Sequence, residues 1–152
     1  MTKFLLTLHV LAAIVAVGPV TVAASMFPPA ARAAGDAGER GLTTVRLLHR
    51  ICRVYSGIGV AVPVLGLATA AAMGVLGDGW LVASITLTAV AAGVLAAFVL
   101  PRQDELLEAL TADGTVERSG TVQLAMFTGV FNLLWATVTV LMIVRPGSTT
   151  GA

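Results

Sequence analysis

Residues 4–27 read FLLTLHVLAAIVAVGPVTVAASMF, and this stretch decides the fold. It is apolar almost throughout, yet it holds one imidazole, His9. An apolar run of about 20 residues crosses a hydrocarbon core of roughly 30 Å as a helix. Three comparable runs follow, at Val54–Leu76, Leu81–Leu100 and Leu124–Val144. The segments between them are too short and too polar to hold a separate soluble core. The chain of 152 residues is 57% hydrophobic and 11% charged, against about 25% charged in a soluble domain. The alternating ten-residue pattern of a membrane β-barrel is absent from the sequence. The expected fold class is all-α: one integral membrane four-helix bundle over residues 1–152, running up-down-up-down. Its helices are expected near 4–27, 46–76, 81–110 and 122–144, the third including an extension beyond its apolar run. Pro28 and Pro29 are expected to close the first helix, and 145–152 reads as a flexible tail.

The distribution of arginine predicts orientation. Arg32, Arg40, Arg46, Arg50 and Arg53 lie between the first two runs, and Arg102 and Arg118 between the last two. The opposite side has Lys3, Arg145 and the base-free turn GDG. The positive-inside rule places both termini outside in a multi-pass cell-membrane protein of bacterial inner-membrane type. The first run exceeds the 7–15 residue core of a secretory signal, and the arginines behind it resist export, so it is expected to stay uncleaved. Trp80 is expected at the outer interface. A net charge of +1 without a basic run interleaved with aromatics argues against a nucleic-acid partner.

Arg46, His49, Arg50 and Arg53 fall at i, i+3, i+4 and i+7, one face of a helix extending past the membrane. After the third run, Asp104, Glu105 and Glu108 mark an acidic side opposite Leu106, Leu107 and Leu110. Two readings stand beside each other: the two extensions form an ion-paired cap, or the bases meet anionic headgroups while the acids face water. Membrane lipids are the expected partners, with a homo-oligomer or a second membrane protein left open. In lipid, helices associate through small residues that let backbones approach. Such faces are Gly59, Pro63, Gly66, Ala70 and Gly74, then Ala89, Gly93 and Ala97, then Thr128, Gly129, Asn132, Ala136 and Thr139. Pro63 predicts a kink.

His9 shares a face with Ala12, Ala16, Pro19 and Ala23, so it is expected to point inward. Thr86 and Thr139 fall at its depth, and Asn132 near the middle of its own run; all three are expected in a polar interior. Three readings of His9 compete. It is a structural histidine bonded to Thr139, Thr86 or a backbone carbonyl. It is an axial ligand of haem b, with Met73 or Met142 opposite. It binds or relays a small solute or proton, as in a small oligomeric transporter. His49 and Cys52 stand at i and i+3, but two ligands do not make a zinc site. The single cysteine excludes an intrachain disulfide. No phosphate loop, nucleophile elbow or carboxylate pair is present in the sequence, so no catalytic residue is assigned. The leading expectation is a non-enzymatic accessory or binding component of the membrane.

FLLTLHVLAAIVAVG (4–18), GDGWLVASITL (77–87) and LPRQDELLEAL (100–110) resemble the bacterial four-helix "predicted integral membrane protein" family of unknown function. The resemblance runs from Phe4 to about Val144 and implies a fold without a reaction. More distantly, the Leu8–His9 pair resembles the first helix of copper-resistance D-type domains and of HemJ-type protoporphyrinogen oxidases. In the HemJ type that histidine is associated with haem b, which the resemblance extends to His9. Those families continue with a tryptophan-glycine pair where this chain has Ala16, Val17 and Gly18. The basic residue of their third helix has no match here, so the oxidase activity is not carried over.

Overall fold

A helix needs continuous backbone hydrogen bonds, and this chain interrupts them at only a few glycines and prolines. In the computed structural model, which describes residues 1–148, the order is α1 (Thr2–Ile58), α2 (Ala61–Met73), α3 (Gly79–Val94), a π-helical turn (Leu95–Val99), α4 (Leu100–Asp113) and α5 (Arg118–Val144). No strand occurs among the described residues. The last four positions of the expected tail, 149–152, lie outside them. Three helical stretches are long and apolar enough to cross a membrane: Thr2–Met73, Gly79–Asp113 and Arg118–Val144. The expected count of four is therefore corrected to three, because the first two expected helices form one stretch with no loop between them.

That first stretch is not straight. Gly38 has φ 60° and ψ −138°, which divides α1 into two helical limbs, 2–37 and 39–58. A residue with a Cβ rarely adopts this backbone conformation. Beyond Gly38 the limbs lie against each other. A Cβ on Gly41 would sit 2.7 Å from Ala34 Cα. Phe27 meets the His49 ring edge-on with centroids 6.5 Å apart, and His9 bonds Val62. As residue numbers fall on one limb they rise by almost the same amount on the other, the signature of an antiparallel hairpin.

The prolines explain the remaining irregularities. Pro28 and Pro29 do not end the first helix as expected; it runs on to residue 37. Phe27, Ala31 and Ala34 are buried at i, i+4 and i+7, and burial of that face overrides the local cost of the two rings. Pro63 cannot donate to the carbonyl of Gly59, four residues back. The chain accordingly leaves the α-helix at Gly59–Val60, and Val62 N–H bonds Gly59 O at 3.0 Å in a tighter turn. Pro101 likewise cannot donate to Ala97. There the ladder widens, and Leu100 N–H reaches back to Leu95 O, a π-type bond. One extra residue per turn rotates the helix beyond it by about 100°. After it, Gln103, Leu106 and Leu110 are all buried.

α1 packs on α2, α4 and α5, and α3 packs on α5. The largest apolar core gathers Phe27, Ala31, Val45, Leu48, Val99, Leu106, Leu110 and Leu124. A second surrounds Val20, Ala91 and Phe131, and a third surrounds Ala70, Trp80 and Leu81. The expected packing face of Ala89, Gly93 and Ala97 is exposed instead, and α3 turns Ser84 and Ala91 inward. The outer surface carries Leu11, Ile14, Val22, Val64, Val82, Leu133 and Ile143, all exposed.

Gly38→Ala is expected to destabilise the fold by about 1–3 kcal/mol, the cost of a non-glycine residue in a sparsely populated backbone region. Gly129→Ala, where a Cβ meets nothing within 4 Å, is the control. Thermal unfolding of both variants in detergent checks the difference, and equal midpoints would contradict the hairpin at Gly38.

Candidate functional site

Two buried histidines anchor the interior of the helices, one near each end of the α1 hairpin. His9 is 8% exposed, and its Nδ1 lies 2.9 Å from the carbonyl oxygen of Val62. A carbonyl only accepts, so Nδ1 carries the proton and donates it. In the neutral ring Nε2 then keeps the lone pair. The ring rests on Gly66, where a Cβ would approach His9 Cε1 to 2.9 Å. Glycine at 66 is thus what makes room for the imidazole between the 2–37 limb of α1 and α2.

The expected hydroxyl partners are elsewhere. Thr86 and Thr139 are exposed, and each donates to the carbonyl four residues back on its own helix, Val82 and Trp135. A threonine satisfied in this way has no need of an inward partner, so both are removed from the polar interior. Asn132 is half-buried and donates through Nδ2 to Ser25 Oγ at 3.2 Å, while its Oδ1 is buried without a partner.

The haem reading requires His9 and a methionine in one place. Met142 packs instead on the cluster of Ala70, Trp80 and Leu81. Met73 ends α2, seven residues beyond the Gly66 that touches His9, or about 10 Å along the helix. His9 has the tautomer of a ligand, and both methionines lie beyond it toward the Met73 end of α2.

The second cluster lies in the inner core, and sequence reasoning assigned its histidine differently. Arg46, Arg50 and Arg53 are exposed as a basic stripe, but His49 is not part of it. His49 is 7% exposed, with Nδ1 2.9 Å from Gln103 Oε1 and Nε2 2.8 Å from Asp104 Oδ1. The Nε2 contact is close but out of line with the ring N–H direction, so Nε2 has no aligned hydrogen-bond partner. Gln103 is fully buried, and its amide nitrogen lies 3.5 Å from Cys52 Sγ. Cys52 is fully buried as well. The result is a chain Asp104–His49–Gln103–Cys52, joining the 39–58 limb of α1 to α4. No group of three or more His, Cys, Asp or Glu side chains suited to a metal occurs among the described residues.

Between the two histidines lies a cavity of about 180 Å³. Val20, Tyr55, Gly59, Pro63, Phe131 and Trp135 are among its walls. It sits beside the break in the helix that Pro63 imposes.

Comparison with protein-family models, curated proteins and solved structures returns no match to this chain.

Of the expected ion-paired cap, one pair joins the two extensions among the described residues, His49 with Asp104. The other pair, Arg102 with Glu105, lies within α4. Sequence reasoning missed Gln103. Its signal was present, since Gln103, Leu106 and Leu110 share one helical face at i, i+3 and i+7.

His49→Leu or Gln103→Leu alone strands a buried polar partner and is expected to lower stability by about 1–3 kcal/mol. The double variant is expected to lose less than the sum, by about 0.5–3 kcal/mol. Unfolding of the three variants measures that coupling, and strict additivity would show that the two side chains do not act as a unit.

Proposed function

We propose that the chain is an integral membrane protein of bacterial inner-membrane type that crosses the bilayer four times, with both termini outside, and serves as a binding or accessory component. The reversal at Gly38 supports four crossings, since it turns the first helical stretch into two antiparallel limbs. The exposed apolar surface supports a lipid surrounding. The exposed Arg46, Arg50 and Arg53 support an inner boundary at which their side chains reach anionic headgroups. The resemblance to four-helix membrane proteins agrees with this reading.

The observation that carries the binding role is the cavity of about 180 Å³. Its walls are apolar side chains and backbone, with Tyr55, Ser56 and Thr88 as the hydroxyl-bearing residues at its edge. Such a space takes an apolar chain or ring and offers little to a charged or sugar-like ligand. The ligand class is therefore a membrane-dissolved amphiphile that lodges its hydrocarbon part between α1, α3 and α5.

Native mass spectrometry of the protein after extensive washing in detergent tests the proposal. The wild type is expected to retain a bound apolar molecule. Ala92→Phe, which adds a ring at the cavity wall, is expected to reduce retention at least several-fold while leaving the helical content unchanged. Equal retention by both proteins would count against a binding cavity.

A further inference from the structure

The chain Asp104–His49–Gln103–Cys52 has a property that neither histidine has alone. Its members are held in a row, but the direction of its hydrogen bonds depends on one proton. The Gln103 amide fits the same volume in two orientations related by a half-turn. With Oε1 toward the imidazole, Nδ1 of His49 donates to it, and the amide N–H faces Cys52 Sγ, which accepts. Nε2 then stands 2.8 Å from a carboxylate oxygen. A bare lone pair there repels the carboxylate, so this arrangement is complete only when Nε2 also carries a proton and the ring is an imidazolium. With the amide turned over, its N–H donates to a bare Nδ1, Nε2–H faces the Asp104 carboxylate as a charge–dipole contact, and the Cys52 S–H donates to Gln103 Oε1. That arrangement is complete with a neutral ring.

We propose that His49 is a proton-operated latch between α1 and α4, in which uptake of one proton turns the Gln103 amide over and changes Cys52 from hydrogen-bond donor to acceptor. The added proton rests on Nδ1, the ring nitrogen that is bare in the neutral state, while Nε2–H faces Asp104, whose side chain is 49% exposed. No covalent bond forms or breaks between heavy atoms. Asp104 is the ionisable group that α4 presents to the ring. The 2–37 limb of α1 presents Phe27, which does not titrate. On the ring's own limb, Cys52 is buried beside it, and Arg46 and Arg53 flank it from exposed positions. In the protonated state an imidazolium–carboxylate pair joins the helices, whereas in the neutral state the joint is made by hydrogen bonds to an uncharged ring. Acidification tightens the joint between α1 and α4. The other end of the chain is one turn from Tyr55 and Ser56 at the cavity wall, so the latch touches the cavity without depending on anything being bound there.

The single cysteine supplies its own probe, because the S–H stretch of the whole protein belongs to Cys52. An S–H that donates a hydrogen bond vibrates at lower wavenumber than one that does not. Infrared spectra of the full chain in lipid nanodiscs, taken from about pH 8 down to about pH 5, read the switch. The wild-type band is expected at low wavenumber at the alkaline end and to move up on acidification. In His49→Gln and in Gln103→Leu the band is expected to stay fixed with pH. A wild-type band that does not move, or a shift that persists in either variant, would overturn the proposal. Should one variant fail to fold, the wild-type spectrum and the other variant still decide it.

Discussion

The reversal at Gly38 is the constraint on which the rest of the structure depends. One glycine in a backbone conformation that other residues rarely adopt turns the chain without a loop. The small residues beside it, Ala34 and Gly41, let the two limbs touch backbone to backbone. Everything that gives the interior its chemistry depends on that pairing. It brings His9 to the carbonyl of Val62 and to the bare Cα of Gly66, and Phe27 to the ring of His49. A loop of several residues in place of Gly38 would loosen the register that sets His9 on Val62 and Phe27 against the His49 ring.

Three prolines then set what the hairpin can hold. Pro63 opens the helix at Gly59–Val60, and the cavity lies against that opening. Pro101 widens the ladder to the π type, and the rotation it imposes carries Gln103 inward to meet His49 and Cys52. Pro19 is absorbed within the 2–37 limb, between the buried Ala16 and Val20. The missing N–H is the same at each proline, but the outcome differs with what packs on either side. The buried Ala16 and Val20 keep the helix whole around Pro19, whereas at Pro63 the glycine four residues back, Gly59, gives way.

Much of this was legible in the sequence, and the failures have physical causes. The apolar runs and the inward face of His9 emerge from periodicity, which measures burial directly. The kink near Pro63 is dictated by the chemistry of the ring. The antiparallel course of the first two runs was legible, but the turn without a loop was not, because Asp36 and Glu39 around Gly38 read as a polar loop, whereas the chain is helical on both sides of that glycine. Thr86 and Thr139 were misplaced because a threonine hydroxyl satisfies itself on its own helix and so carries no information about facing. His49 was misread through the company it keeps. Its spacing matches the arginines, but i+3 on a helix is offset by about 60° from the axis of the stripe, enough to carry a side chain from the surface into the core.

The distance between two exposed sites tests the central claim most directly. Spin labels at Leu11→Cys and Val64→Cys, both on the outer surface, in a Cys52→Ala background, report whether the limbs are antiparallel. Helices packed at about 8–10 Å place such labels within roughly 30 Å of each other. A continuous helix from residue 11 to 64 would separate them by about 80 Å. A single short distance is the predicted result, and a population at the long distance would contradict the hairpin and the two histidine sites built on it.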